Sequence, residues 1–82
     1  MFLHLGENTV ITTDEIIGIF DLDNTTLSKI SRDFLNKKEK EGKTITVGYD
    51  LPKSFILTDD GMIYITQVST ATLLKRIQQK IG

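Results

Sequence analysis

Residues 52–77 read PKSFILTDDGMIYITQVSTATLLKRI, and this stretch decides the fold. Two apolar segments, Ser54–Thr58 and Met62–Gln67, flank the tripeptide Asp59-Asp60-Gly61. An Asp-Gly step tolerates the positive φ of a tight turn, so the pattern predicts a β-hairpin. Pro52 marks the boundary before the first of these strands, because proline cannot donate a hydrogen bond to a ladder.

The hairpin leads into an amphipathic helix. Ser69 or Thr70 supplies the N-cap, and the helix is predicted to run to about Ile81. Its apolar residues recur at helical spacing and are predicted to face inward. They are Leu73, Leu74, Ile77 and Ile81. Its cations are predicted to face outward near the C-terminal end, where they complement the helix dipole. They are Lys75, Arg76 and Lys80.

The rest of the chain is predicted to add four strands and a second helix. Strands are predicted at Phe2–Leu5, Thr9–Thr12, Glu15–Asp21 and Thr44–Gly48. A helix is predicted over about residues 26–41, with one buried stripe. The stripe consists of Leu27, Ile30, Phe34 and Leu35. The predicted fold class is α+β, with a mostly antiparallel sheet, two amphipathic helices and the order β-β-β-α-β-β-β-α in a single domain, 1–82.

Composition restricts how so small a core can be stabilised. The 82 residues include no cysteine and one histidine, so we predict neither a disulfide nor a metal or other cofactor. Self-association is the remaining common way to stabilise a small core. The N-terminus lacks the features of a signal peptide, and no apolar run approaches the ~20 residues of a membrane span. We therefore expect a cytoplasmic homo-oligomer without a membrane partner.

Charge is distributed unevenly along the chain, although the net charge is −1. Residues 1–28 hold five acids and no Lys or Arg, whereas residues 29–82 hold ten bases and six acids. Such asymmetry is compatible with a basic face on an otherwise acidic body. The alternative interpretation is that two helices carry ordinary solvated faces, with Lys37–Lys43 as a solvated helix end.

The two ends of the chain together resemble one small family. Residues 1–21, MFLHLGENTVITTDEIIGIFD, and residues 52–77 are similar in the order and spacing of their motifs to the RemA/RemB family of bacterial extracellular-matrix regulators. The likeness is closer to RemB-type members, and only about residues 22–50 match loosely. The resemblance implies a ring-shaped homo-oligomer that acts on matrix or biofilm gene expression, through double-stranded DNA or through a related regulator.

The same resemblance identifies where DNA would be bound. Family members thought to bind DNA carry several arginines before the penultimate strand and one before the third strand. Here the first place keeps one cation, Lys53, and the second holds Glu15. The candidate phosphate contacts are Lys53, Lys75, Arg76 and Lys80. Nothing resembles a helix-turn-helix or a zinc finger, so an assembled oligomer would read the backbone and shape of DNA.

Two other functions compete with DNA binding. In the first, Glu15 and the acidic N-terminal third dock on a related regulator, and this chain does not bind DNA. In the second, Asp21-x-Asp23-x-Thr25 is the nucleophile motif of a haloacid-dehalogenase-like phosphatase, with Asp59 and Asp60 as later acids. Such enzymes need several βαβ units of ~30 residues each, and this chain is too short to hold them. We therefore predict a protein that is not an enzyme.

Overall fold

The computed structural model describes residues 1–6, 8–22, 28–48 and 51–79. Within these ranges, the elements run in the predicted order β-β-β-α-β-β-β-α, which confirms the α+β class. They are β1 (Phe2–Gly6), β2 (Thr9–Thr12), a 3₁₀ turn (Thr13–Glu15), β3 (Ile16–Asp21), α1 (Ser28–Lys40), β4 (Thr44–Val47), β5 (Ser54–Thr58), β6 (Ile63–Thr66) and α2 (Thr70–Gln79). Leu27, Lys80 and Ile81, which the sequence assigned to helices, lie outside the described residues.

The strands form two sheets. β1 and β2 make an antiparallel hairpin, and the other four form a sheet in the order β3-β5-β6-β4. β5 pairs antiparallel with both β3 and β6, as the predicted hairpin requires. β4 instead lies parallel to β6, a pairing that the sequence did not indicate. The sheet is therefore mostly antiparallel, and β3 and β4 form its two edges.

The turn between β5 and β6 is held by an aspartate. The Thr58 hydroxyl donates to Asp60 Oδ1 over 2.6 Å, and the Met62 amide donates to the same oxygen over 3.1 Å. Gly61 adopts φ 84°, the positive angle expected of the Asp-Gly step. The Thr58 hydroxyl and then the Met62 amide hold the pKa of the Asp60 carboxyl below its usual 3.8, because both donors favour the charged form.

One face of the four-stranded sheet, here called the closed face, is covered by the β1–β2 hairpin and α2. The core lies there and consists of Leu3, Leu5, Ile11, Val47, Ile56 and Leu73, all less than 5% exposed. Leu73 and Ile77 face inward as predicted. The prediction for Leu74 is wrong, since its side chain is 49% exposed. Adjacent helical residues lie about 100° apart, so α2 cannot turn both leucines fully inward.

Buried hydroxyl groups fasten the hairpin and the start of α2 to the closed face. Thr66 Oγ1 donates to the Leu5 carbonyl over 2.6 Å and accepts from the Val68 amide over 3.1 Å. The Ser54 hydroxyl donates to the Val68 carbonyl. In the described part of the chain, every buried side-chain nitrogen and oxygen has a hydrogen-bond partner. These contacts offset the cost of burying polar groups in a small core.

The opposite face of the sheet, here called the open face, is covered by α1 alone among the elements that the structure describes. Phe55 is buried there, stacked on Phe20 at 4.9 Å between ring centroids and tilted against Phe34 at 6.3 Å. Leu35 is half-buried, but Ile30 is 68% exposed and Phe34 is 37% exposed. The predicted buried stripe is therefore wrong at Ile30 and only partly covered at Phe34. A single helix on a narrow sheet leaves part of its apolar stripe without a second layer to cover it.

Candidate nucleic-acid interface

Lys53 combines a fixed backbone with an exposed side chain. Its carbonyl accepts a hydrogen bond from the Leu22 amide over 2.9 Å, and its amide donates to the Thr66 carbonyl over 2.9 Å. These bonds prolong the ladders that flank β5, so the position of Lys53 is set by the sheet. The ammonium group remains in water at the end of a flexible stem, as phosphate contact requires.

The start of α2 confirms the predicted cap. Ser69 Oγ accepts from the Thr72 amide over 3.2 Å, which satisfies one of the amides that a helix start leaves unpaired. Lys75, in the second turn of this helix, is exposed. Because the Ser54 hydroxyl ties β5 to Val68, Lys53 lies beside the strand-to-helix connection that leads to Lys75. The two cations therefore belong to connected elements of one subunit.

Arg76 has a structural contact that sequence reasoning missed. Its Nη1 donates to the carbonyl oxygen of His4 over 2.7 Å, and its side chain is half-buried rather than fully outward. The guanidinium thus holds α2 against β1 while other N–H donors remain on the group. No sequence signal marks such a contact, because any residue supplies a backbone carbonyl. Lys80, the fourth candidate, lies outside the described residues.

A second group of cations lies on α1 and at the start of β4. Between residues 28 and 43 the chain carries six bases against three acids, a net charge of +3. The bases are Lys29, Arg32, Lys37, Lys38, Lys40 and Lys43. Lys38 pairs with Glu41 at 3.8 Å, and its Nζ lies 5.8 Å from the centre of the Phe34 ring. Sequence reasoning treated the end of this run as a solvated helix end and left the run out of the candidate interface.

One of these cations lies on the same side of the molecule as Lys53. An open cleft of about 390 Å³ is lined by Leu22, Arg32, Leu35, Leu51 and Pro52. Its walls are apolar apart from Arg32, and Pro52 directly precedes Lys53. Arg32 therefore shares this cleft with the residue that precedes Lys53, and it becomes a further candidate for phosphate contact.

Acids gather at the opposite end of the β3–β5 ladder. The Asp59 amide donates to the Glu15 carbonyl over 2.8 Å, which brings the β5–β6 turn against the 3₁₀ turn. Asp14, Glu15, Asp59 and Asp60 thus adjoin one another, and this group is called the acidic corner below. All four side chains are exposed or half-exposed. The fold therefore gathers four acids into one corner, whereas the cations are distributed over α1, α2, Lys53 and Lys43.

Comparison with known proteins identifies the family of this chain. Residues 2–77 match the model of the RemA-like family, described as extracellular matrix regulatory protein A-like. The chain belongs to the RemA-like family. It is also 40% identical to extracellular matrix regulatory protein B of Bacillus subtilis (strain 168) over 78 residues, which cover 95% of this chain and 91% of that protein. The resemblance found at the two ends of the sequence is thereby confirmed.

The described acids of the phosphatase motif, Asp21 and Asp59, lie far apart in this RemA-like chain. Asp21 pairs with Ser54 at one end of the β3–β5 ladder, whereas Asp59 bonds to Glu15 at the other end. About five residues of extended chain separate the two ends, roughly 17 Å at the rise of a β-strand. The two groups cannot act on one phosphoryl group across that distance. Asp23 and Thr25 of the motif lie outside the described residues.

Two further features of the RemA-like chain bear on its chemistry. Among residues 1–6, 8–22, 28–48 and 51–79, no group of three His, Asp or Glu side chains is placed to hold a metal ion. Over the same ranges, neither helix is long and apolar enough to cross a membrane. The recognisable chemistry of the described surface therefore consists of separated basic and acidic regions and exposed apolar side chains.

Proposed function

We propose that this chain is a non-enzymatic regulator of extracellular-matrix gene expression that acts as a homo-oligomer bound to the DNA backbone. The observation that carries the proposal is the 40% identity to extracellular matrix regulatory protein B across almost the full length of both chains. A role at DNA would place the protein in the cytoplasm. Matrix or biofilm genes would be its targets.

Exposed cations on ordered elements support the DNA part of the proposal. Lys53 is positioned by the sheet and Lys75 by α2, and Arg32 adds a third cation at the cleft that Pro52 lines. One subunit offers few such groups, and each phosphate contact adds only a small amount to the binding free energy. An oligomer repeats the set at fixed intervals along a duplex, which converts weak contacts into a multivalent one.

A second function is favoured by the acidic corner. Residues 1–28 contain no Lys or Arg, and the fold brings Asp59 and Asp60 next to Glu15. A surface of this kind repels phosphate and attracts a basic protein face. In this alternative the chain docks on a related regulator through the acidic corner and does not contact DNA itself.

Salt-dependent binding of a labelled AT-rich duplex, followed by fluorescence anisotropy, tests the proposal. The wild-type chain should bind at low salt, and its affinity should fall steeply as salt rises. The variant Lys53→Glu with Lys75→Glu should weaken binding by on the order of tenfold or more, because each subunit changes by four charge units. Arg76 is left intact so that its bond to His4 keeps α2 in place.

The matched control reverses the same number of charges on α1, with Lys37→Glu and Lys40→Glu. Binding that survives this control and is lost in the first variant supports the proposed contacts. The opposite pattern would move the interface to α1. Absence of binding by the wild-type chain at low salt would refute DNA binding by this protein alone. Docking on a related regulator through the acidic corner would then be the better-supported function.

A further inference from the structure

The four-stranded sheet ends in two strands that each have only one partner among the described residues, β3 and β4. The Leu22 amide bonds to the Lys53 carbonyl across the β3–β5 ladder, so by alternation the amide and carbonyl of Ile19 point away from β5. The Ile63 amide bonds to the Lys43 carbonyl, so Thr44 and Thr46 direct theirs away from β6. Both edges can therefore accept another strand.

Little protects the β3 edge against pairing. Its sequence, IIGIFD, contains no Lys, Arg or Pro, the residues that proteins commonly use to blunt an edge strand. A bulge lies at its start, and the register is regular from Gly18 to Asp21. Ile17 at the bulge is 63% exposed, and Phe20 is also exposed on the open face. Pairing with another strand would cover both the backbone groups and these apolar side chains.

The start of the β4 edge is basic, whereas the start of the β3 edge is acidic. The strand Thr44–Val47 is itself uncharged, and Lys43 comes directly before it. The start of β3, by contrast, follows Asp14 and Glu15, with Asp59 bonded alongside. The two edges of one molecule are thus electrostatically complementary.

Strand direction shows how these edges could meet. β3 is antiparallel to β5, β5 is antiparallel to β6, and β6 is parallel to β4. β3 and β4 consequently run in the same direction. If the sheet continues from one molecule into the next, β4 therefore lies parallel to the neighbour's β3, and the starts of the two strands meet. That arrangement brings Lys43 of one copy toward Glu15 of the next.

We propose that a second copy of this chain is the partner of these edges, with β4 of one copy pairing in parallel with β3 of the next. The inference rests on the homo-oligomer of the proposed function and names its contact surfaces. Because the two surfaces differ, the contact is head-to-tail and each added copy presents a new edge. Antiparallel pairing of two β3 strands is disfavoured, because it would bring Glu15 of one copy toward Asp21 of the other.

Thr46→Pro tests the β4 edge directly. The Thr46 side chain is exposed and its N–H points away from β6, so proline removes a donor from the outer edge while the internal ladder stays intact. Thr46→Val, which keeps the N–H, is the matched control. Light scattering after size exclusion should show assemblies for the wild type and Thr46→Val and single chains for Thr46→Pro, with circular dichroism reporting the fold.

A charge exchange gives a second test that does not alter the backbone. Glu15→Lys and Lys43→Glu should each raise the dissociation constant of the assembly, by on the order of tenfold at low salt. Mixing these two variants, or combining both changes in one chain, should restore assembly, because each contact then joins opposite charges again. Recovery in the mixture is the result that an unrelated surface cannot produce.

The outcomes separate the two proposals. A wild-type chain that remains single at all concentrations would refute the homo-oligomer and with it the edge assignment. A wild-type assembly that persists in folded Thr46→Pro, and that neither charge variant weakens, would refute the edge assignment alone. Dimers of Thr46→Pro would indicate symmetric β3–β3 pairing and would also overturn the head-to-tail arrangement.

Discussion

The closed face and the open face of the sheet differ in how much apolar surface the chain covers by itself. On the closed face, a hairpin and a helix converge, and side chains such as Leu5, Ile56 and Leu73 are fully buried. On the open face, α1 buries Phe55 but leaves Ile30 and Phe34 partly in water. The comparison shows that the closed face is covered more completely, while the open face keeps apolar side chains in water.

This difference follows from the number of layers over each face. Two elements can cover a four-stranded sheet and also seal the gap between them, as the hairpin and α2 do. One helix covers a strip about 10 Å wide, so its flanking residues remain exposed. Exposed apolar side chains that lie together, such as Phe20 and Phe34 around Phe55, are typical of surfaces that meet another molecule.

The largest effect should come from α2 on the closed face. Leu73→Ala should lower the free energy of unfolding by about 3 kcal/mol, because it removes a fully buried side chain and leaves a cavity. The neighbouring Leu74→Ala, at a half-exposed position, should cost less than about 1 kcal/mol. Urea denaturation of both variants measures the contrast. Equal losses would show that α2 is rotated relative to the described structure.

A smaller effect is expected on the open face. Phe34→Ala should cost about 1–2 kcal/mol, less than a fully buried aromatic ring, since part of the Phe34 ring is already in water. Ile30→Ala, one turn earlier and 68% exposed, should change stability by no more than about 0.5 kcal/mol. Denaturation at low protein concentration measures both. A large cost at Ile30 under those conditions would mean that the chain itself covers this face.

The smallest effect concerns the turn between β5 and β6. The pKa of Asp60 is lowered below 3.8 in the folded state by the Thr58 hydroxyl and the Met62 amide. Its stabilising effect is therefore fully present above pH 3.8 and is lost as pH falls through the folded value. The melting temperature of Asp60→Ala should lie slightly below that of the wild type near neutral pH and approach it in acid.

Asp59→Ala removes one acid from the same turn and serves as the control for net charge. The difference in melting temperature between Asp59→Ala and the wild type should not change with pH in the range where Asp60 titrates. A gap between the wild type and Asp60→Ala that stays constant through the acid range would contradict the assigned hydrogen bonds.

Local patterns predicted the helices and strands of this fold well, but they predicted burial and strand pairing less well. The strand Ser54–Thr58 has the predicted bounds, because the turn residues and the apolar run beside them are both encoded locally. Helical spacing placed Leu73 and Leu74 on the same side, but only the packed structure distinguishes the buried one from the exposed one. The parallel partner of Thr44–Val47 was not predictable, since four β-branched residues carry no information about direction.

In the candidate site, too, some features were predictable from the sequence and others depend on long-range packing. The charge of Lys53 and Lys75 is visible in the sequence, and their exposure agrees with it. The engagement of Arg76 by the His4 carbonyl has no sequence signature, since the acceptor belongs to the backbone. The acidic corner joins Glu15 to Asp59, which are distant in sequence and meet only because β3 pairs with β5. Long-range strand pairing is the part that local patterns leave undetermined.

The hydrogen bond from Thr66 to the Leu5 carbonyl also determines when the molecule can finish folding. It joins residues 61 positions apart, and the bond from Arg76 to His4 spans 72. A two-stranded hairpin is at best marginally stable alone, so β1 and β2 must wait for β6 and α2. At synthesis rates of ~5–20 residues per second, the 72 residues between His4 and Arg76 take roughly 4–14 seconds to be made. The β1–β2 hairpin, although it is synthesised before β6 and α2, is thus among the last segments to reach its native place.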